Sequence, residues 1–175
     1  MSLTDGVISL EKLSDKHLAG LASLIEDPDV IENTRVPDPA PPGFERDWLK
    51  AYEDGGADGT RDGFAIEDAA TGDFLGIAGL VAIEQKESQA EIGYIVVREA
   101  RGRGIATRAL RLVTDYALGE VGLARVHLMI GSENAPSMRV AERCGYHREG
   151  VLRSLYVKPG HRADMVVYSR LPDDA

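Results

Sequence analysis

The chain has 175 residues, 43% of them hydrophobic, and a formal net charge of -9 at pH 7. This length and apolar content are sufficient for a buried core, and we expect a single domain over residues 1–175. The acidic charge argues against nonspecific binding to nucleic acid or to a membrane surface. No run of about 18 apolar residues predicts a membrane span.

Two further features concern the location of the protein. The first residues, MSLTDGVISLEKL, lack the basic-then-apolar order of a secretory signal. Cys144 is the one cysteine, so the chain cannot form an internal disulfide. Both features favour a cytoplasmic location.

The charge is divided unevenly along the chain. Residues 1–90 carry 19 acidic and 7 basic side chains, whereas residues 91–175 carry 10 acidic and 13 basic ones. Five arginines lie between Arg98 and Arg111. A basic segment within an acidic protein indicates a small anionic ligand, while the acidic first half suits a cationic second ligand or is simply a solvated surface.

The first half of the sequence predicts strands and helices in alternation. Residues 7–12 alternate as a strand does, and Ser14 then caps a predicted helix with leucines at helical spacing. Four prolines within residues 35–43 predict an extended connector. A short helix over 45–52 and a polar, glycine-rich loop over 53–63 follow. A hairpin then pairs the strands predicted at 64–67 and 74–83.

The second half predicts a strand, a helix, a strand, a helix and two last strands. Residues 91–97 form the first strand, and the apolar residues of the next helix share one face: Ile105, Ala109, Leu112, Val113 and Tyr116. A strand over 124–130 and a short helix over 134–146 follow, and strands at 146–153 and 163–171 complete a mixed sheet. This order predicts one α/β domain.

An arginine-rich turn joins the strand at 91–97 to the next helix. A helix start offers unpaired N–H groups and the positive end of the helix dipole, so anions bind there. Side chains at Gly102 or Gly104 would obstruct a diphosphate, whereas the small Ala106 keeps the first turn open. The predicted phosphate contacts are the main chain of 102–107 and the side chains of Arg101, Arg103, Thr107 and Arg108.

Three alternatives to the diphosphate site just described are a P-loop, a dinucleotide fingerprint and a plain glycine-rich helix entry. A P-loop requires a lysine after its last glycine, and no lysine lies between Lys86 and Lys158. A dinucleotide fingerprint would place Thr107 where the third glycine belongs, and it requires more βα units than this chain has. A plain glycine-rich helix entry with solvated arginines stays open as an alternative.

The turn resembles a known signature. Arg101-x-x-Gly104-x-Ala106, after an apolar strand, resembles the Q/R-x-x-G-x-G/A motif of the GNAT superfamily of N-acetyltransferases. The segments AEIGYIVV, ARVHLMI, ENAPSMRVAERCGYHREGVLR and HRADMVVYSRL resemble its RimJ/RimL branch in order and spacing. The likeness is close over 74–171 and covers 7–73 in layout only. It implies a GNAT (acyl-CoA N-acyltransferase) fold, with a mixed sheet of about seven strands, a splayed parallel pair and flanking helices.

The resemblance also implies a site for acetyl-coenzyme A (acetyl-CoA) between the separating strands 91–97 and 124–130. Main-chain groups freed by the separation would pair with the pantetheine arm, and the N–H of Val96 or Val97 would face the thioester carbonyl. Asn134 would contact the pantetheine or cap its helix. The implied coenzyme contacts are Ile95, Val96, Val97, Arg101, Gly102, Arg103, Gly104, Ile105, Ala106, Thr107, Asn134 and Ser137.

The implied catalytic residues are Ser137, Glu91 and Tyr156. Ser137 matches a serine that lies near the coenzyme sulfur and would protonate the thiolate, or it bonds only within its own helix. Some relatives carry a glutamate base where we align Tyr156, so Tyr156 would replace it in part or line the acceptor pocket. Glu91 is the remaining carboxylate, acting through a water, or it is a solvated strand end.

The function implied is direct transfer of an acetyl group from acetyl-CoA to an amine. We expect the N-terminal α-amine of a protein or peptide as acceptor, because its pKa of about 7.7–8.0 leaves much of it neutral without a strong base. The alternatives are a small metabolite or antibiotic amine, and a CoA sensor without turnover. Cys144 and the four histidines lack catalytic or ligand spacing, so no metal is predicted. The oligomeric state stays open, with a homodimer as one alternative.

Overall fold

One mixed sheet of eight strands runs through the residues that the structure, a computed structural model, describes: 3–158 and 160–174. Residues 1, 2, 159 and 175 of the expected domain lie outside this description. The strands are β1 Leu3–Thr4, β2 Ile8–Lys12, β3 Asp62–Asp68, β4 Phe74–Glu84, β5 Gln89–Val96, β6 Arg125–Gly131, β7 His147–Lys158 and β8 His161–Arg170. Their order is β1-β2-β3-β4-β5-β6-β8-β7. Only β5 and β6 pair in parallel among these described strands.

The described part of the chain also forms five α-helices. They are α1 Leu18–Ile25, α2 Pro28–Asn33, α3 Phe44–Asp58, α4 Ile105–Asp115 and α5 Ala135–Arg143. A 3-10 turn at Arg98–Ala100 precedes α4, and a π-helical segment, Tyr116–Glu120, continues it. Within the same residues, none of the helices is both long and apolar enough to cross a membrane.

The two faces of the sheet carry different apolar clusters, and alternate residues of β5 contribute to each. Ala90, Ile92 and Val96 belong to the cluster that contains the buried side chains of α4. Ile95 packs instead with the cluster formed by α1, α2 and α3, which includes Leu21. Because side chains alternate along a strand, the even-numbered residues of β5 face α4 and the odd-numbered ones face α1–α3.

The α/β class, the element order and the splayed parallel pair confirm the fold predicted from the sequence. Three details differ. The loop predicted over 53–63 is wrong in its first half, because α3 continues to Asp58. Gly55 leaves room for Arg61, which follows the helix, because a Cβ at position 55 would lie 2.6 Å from the Cβ of Arg61. The helix ends at Gly59, which adopts a left-handed φ of 75°.

Helix α2 and the last hairpin are the other two differences. No helix was predicted over Pro28–Asn33, although Asp27 caps it by accepting from the Asp29 N–H at 2.9 Å and Pro28 opens it. The strand expected at 146–153 extends to Lys158, where it pairs with β8 across a register shift. Both elements border the site described next.

Candidate active site

The parallel strands β5 and β6 separate within the sheet. They pair at three positions only, Gln89 with Arg125, Ala90 with Val126 and Glu91 with His127. Beyond this point β5 stays paired with β4, and β6 stays paired with β8 as far as Gly131. The backbone of each strand therefore has one edge without a sheet partner, and a gap opens after Glu91. Such an edge offers main-chain donors and acceptors to an extended ligand.

The register of β5 decides which N–H groups face this gap. The Val97 N–H donates to the Leu75 carbonyl of β4 at 2.9 Å. Since residues of an antiparallel strand alternate in the neighbour that they bond, Ile95 also faces β4, whereas Tyr94 and Val96 face the gap. Of the predicted main-chain contacts, the register therefore leaves Val96 facing the gap, together with Tyr94, whereas Ile95 and Val97 bond to β4.

The turn after β5 has the open main chain that an anion site requires. Gly102 and Gly104 adopt left-handed φ angles of 74° and 78°, which disfavour a side chain at either position. A Cβ at either glycine would meet no described atom within 4 Å, so the space above the turn is free. Gly104 is the N-cap of α4, Ile105 is buried, and the N–H groups of the first helical turn follow directly.

The arginines of this turn have different surroundings. Arg101 does not extend into the open space: its guanidinium contacts Asp27 at 2.6 Å and Asp29 at 2.8 Å, and its Nε donates to the Val96 carbonyl at 3.0 Å. Arg108 pairs with Asp5 at 2.6 Å. Arg103 is exposed on the turn itself. The phosphate contact predicted for these arginines is therefore best placed at Arg103, while Arg101 ties the turn to α2.

Ser137 lies on α5, across the gap from β5. Its N–H donates to the Oδ1 of Asn134 at 3.2 Å, so Asn134 is the N-cap of α5. The Ser137 hydroxyl lies 2.7 Å from the Tyr94 hydroxyl. Sequence reasoning missed Tyr94, although one signal existed: it is a polar side chain on the β5 face that is otherwise apolar.

The opposite face of β5 brings the other two predicted residues together. Glu91 is partly buried, and burial raises its pKa, while the positive charge of Arg35 opposes that rise. Burial and the charge of Glu91 raise the pKa of Tyr156, whose ring lies 4.3 Å from the Arg35 guanidinium carbon. Burial raises the pKa of Tyr52 of α3 to about 12, and the charge of Glu91 adds to this rise. His127, the register partner of Glu91, has a buried Nδ1 without a hydrogen-bond partner among the described residues.

Two neighbouring cavities share Tyr156 and Lys158. One of about 580 Å³ lies between the end of α2 and β7 and is also lined by Arg35 and Asp38. The other, of about 300 Å³, lies between α2 and the last hairpin. The Lys158 ammonium donates to the carbonyls of Ile31 at 3.0 Å and Thr34 at 2.6 Å. It therefore supplies hydrogen bonds to carbonyl groups at the C-terminal end of α2. Sequence reasoning missed both Arg35 and Lys158, since neither belongs to a motif.

The chain belongs to the GNAT acetyltransferase family, whose model, described as an acetyltransferase (GNAT) domain, matches residues 8–147. The p20 protein of Bacillus licheniformis, named an uncharacterized N-acetyltransferase, is 26% identical over 164 residues, 94% of this chain and 92% of p20. Spermidine N(1)-acetyltransferase of Escherichia coli (strain K12) is 32% identical over 51% of this chain, which spans about half (47%) of that enzyme.

A solved structure has the same fold over its full length. RimL, the ribosomal L7/L12 alpha-N-protein acetyltransferase, in complex with coenzyme A, superposes with a TM-score of 0.90 at 18% identity and covers 100% of both chains. The family match and the relatives identify the chain as an acetyl-CoA-dependent N-acetyltransferase, and the likeness to RimL shows that it has the same fold. The acceptor is a separate question.

We expect Arg101→Ala to destabilise the protein in a pH-dependent way. Burial raises the pKa of Asp27, but hydrogen bonds from Arg98 and Asp29 and the charge of Arg101 hold it below its usual value. A carboxyl with a depressed folded-state pKa contributes stability at neutral pH, and this contribution disappears as the pH falls through the folded-state pKa. The free energy of unfolding in urea should therefore drop by about 2 kcal/mol at pH 7. The difference from the parent should shrink below the usual Asp pKa of 3.8.

The matched control is Arg103→Ala, in the same turn. Because Arg103 is exposed, its removal should change the free energy of unfolding by less than about 0.5 kcal/mol. Equal losses in both variants, or a loss at Arg101 that does not change with pH, would contradict the structural role of the Asp27–Arg101 contact.

Proposed function

We propose that this acetyltransferase transfers the acetyl group of acetyl-CoA directly to the N-terminal α-amine of a protein or peptide. The observation that carries this acceptor class is the charge of the larger cavity. Its lining combines the cations Arg35 and Lys158 with the carboxylate Asp38. Two cations disfavour a polyamine, whereas a peptide presents one amine followed by neutral carbonyl groups that accept hydrogen bonds.

The chemistry of the neighbouring carboxylate agrees with this acceptor. Glu91 lies at the point where β5 and β6 part, and its pKa, although raised by burial, is that of a weak base. An α-amine with a pKa of about 7.7–8.0 is partly neutral at neutral pH, whereas a lysine amine with a pKa of about 10.4 is not. A weak base acting through a water is then sufficient, because most of the acceleration comes from placing two substrates together.

The residues of the gap supply the other parts of the reaction. The free main-chain N–H groups of Tyr94 and Val96 would stabilise the negative charge that develops on the thioester oxygen. The open turn at 102–107 would bind the diphosphate through N–H groups and Arg103, with Asn134 beside the pantetheine. Ser137 would donate a proton to the departing thiolate, whose ordinary pKa is about 8.5. When bound, the coenzyme supplies the activated acetyl group.

A polyamine is the second candidate acceptor, and one observation favours it. The lining of the smaller cavity combines the carboxylates Glu32, Glu133 and Asp164 with the cations Lys158 and Arg162, and this excess of carboxylates would attract a polycation. The similarity to a spermidine acetyltransferase points in the same direction.

A panel of acceptors tests these alternatives directly. Thiol release from acetyl-CoA should be measured with lysine-free peptides, the same peptides blocked at the N-terminus, spermidine and spermine. We expect kcat/KM at least tenfold higher for the free peptides than for the polyamines, and no acceptor-dependent release with the blocked peptides. Faster turnover of spermidine would establish the second candidate, and CoA binding without turnover of any acceptor would establish the sensor.

Gly104→Glu tests the diphosphate site. A side chain there enters the open space above the turn and adds a negative charge, so the Kd for CoA in calorimetry should rise at least tenfold. Gly122→Glu is the matched control, because Gly122 has a similar φ of 76° and equally open surroundings but lies beyond the π-helical segment. Unchanged binding by Gly104→Glu would refute the placement of the diphosphate.

Glu91→Gln tests the base. A general base must be deprotonated, so the rate falls as the pH drops through its pKa, which burial moves above the usual value of 4.5. The glutamine variant should lose about a hundredfold in kcat and should also lose this acidic limb of the pH–rate profile. Glu87→Gln, on the exposed turn between β4 and β5, should keep both. An unaltered profile in Glu91→Gln would exclude Glu91 as the base.

A further inference from the structure

A pair of hydroxyl groups bridges the gap between the two separated strands. Tyr94 lies on β5 and Ser137 in the first turn of α5, which follows β6. The Tyr94 hydroxyl lies 2.7 Å from the Ser137 Oγ and 3.3 Å from the Ser137 carbonyl oxygen. The sequence motifs assign no role to Tyr94, and the proposed function uses only its main-chain N–H.

The acidity of the two hydroxyls indicates which one is the better hydrogen-bond donor. A phenol, with a pKa of about 10, is a much stronger acid than an aliphatic alcohol, and it is therefore the better hydrogen-bond donor. The contact with Oγ is also shorter than the contact with the carbonyl. Either oxygen can donate in this short contact, and the greater acidity of the phenol favours Tyr94 as the donor, which leaves the hydrogen of Ser137 free for another acceptor.

Ser137 is held at a second point as well. Its N–H donates to the side chain of Asn134, at 3.2 Å. The main chain of Ser137 is thus held from the end of β6, and its side chain from β5. This double restraint fixes the position of the serine oxygen. The direction of its O–H bond is then the remaining freedom of the side chain.

We propose that Tyr94 is a positioning residue for acetyl transfer: its hydroxyl donates to the Ser137 Oγ and so directs the Ser137 hydrogen toward the departing sulfur. This inference rests on the proposed role of Ser137. The acceptor nitrogen forms a bond to the carbonyl carbon of the thioester, and as the carbon–sulfur bond breaks, the sulfur takes the bonding electron pair and a proton from Ser137. The attacking nitrogen loses a proton to solvent through Glu91, and Ser137 regains one from solvent.

Tyr94 keeps its own proton throughout. Burial raises its pKa to about 12, although the hydrogen bond with Ser137 opposes that rise. A phenol that does not ionise at neutral pH acts through its hydrogen bond and not as an acid of its own. Removing the hydroxyl should therefore matter only while the serine hydroxyl is present.

The same side of the sheet contains a matched control pair. Tyr146 belongs to the buried cluster that includes side chains of α4, Thr114 is a buried residue of α4, and their hydroxyls are 2.6 Å apart. Tyr146→Phe removes a buried phenolic hydrogen bond of similar length outside the gap. It reports what the loss of such a bond does to stability alone.

The experiment is a double-mutant cycle with Tyr94→Phe, Ser137→Ala and the double variant. Thiol release is followed with the best acceptor of the panel, and CoA affinity and thermal unfolding are measured in parallel. We expect Tyr94→Phe to lower kcat about tenfold with KM and the Kd for CoA within twofold of the parent. Ser137→Ala should lose about a hundredfold in kcat, and the double variant should be no worse than Ser137→Ala. Tyr146→Phe should keep the parent kcat.

Several results would overturn the inference. A Tyr94→Phe variant with the parent kcat would refute it while leaving the proposed function intact. A tenfold loss that persists in the Ser137→Ala background, or that accompanies weaker CoA binding, would show that Tyr94 only holds the gap at its width. If the parent protein turned over no acceptor at all, the proposed function and this inference would fall together.

Discussion

The separation of two neighbouring parallel strands is the constraint on which the rest of the site depends. Three paired positions hold β5 and β6 together, and then each strand keeps only its outer partner. Backbone N–H and C=O groups inside a sheet are costly to leave without partners, so a gap of this kind persists only where a ligand or water completes it. The gap therefore leaves main-chain groups on both strands available to an extended ligand, and this is the basis of the proposed coenzyme site.

Helix α2 connects the two sides of this site. Its first turn is held by Arg98 and Arg101 from the turn that precedes α4, and its last carbonyl groups by Lys158 from the final hairpin. The arginine turn thus has a structural role in holding α2, besides the anion binding proposed for its main chain. A short helix of six residues would not be stable alone, and these ion pairs and hydrogen bonds at both ends explain why it forms here.

The two faces of β5 divide the chemistry between them. On the even-numbered side the Tyr94 hydroxyl contacts Ser137, which is the side proposed for the coenzyme. On the odd-numbered side Glu91 lies near Arg35 and Tyr156, which is the side proposed for the acceptor. One strand with a period of two therefore places a hydroxyl pair and a carboxylate on opposite faces of the sheet.

The sequence by itself determined the α/β class, the turn at 102–107 and the element order apart from β1 and α2, because these depend on local periodicity and on glycines required for left-handed backbone. The family resemblance also proposed Ser137 and Glu91 as catalytic residues, and these roles stay predictions. Only the tertiary structure decided that Arg101 pairs with Asp27, that Tyr94 contacts Ser137, and that Arg35 and Lys158 line one cavity. Those contacts join residues that are 43 or more positions apart, and no local pattern specifies which distant side chains a folded backbone will bring together.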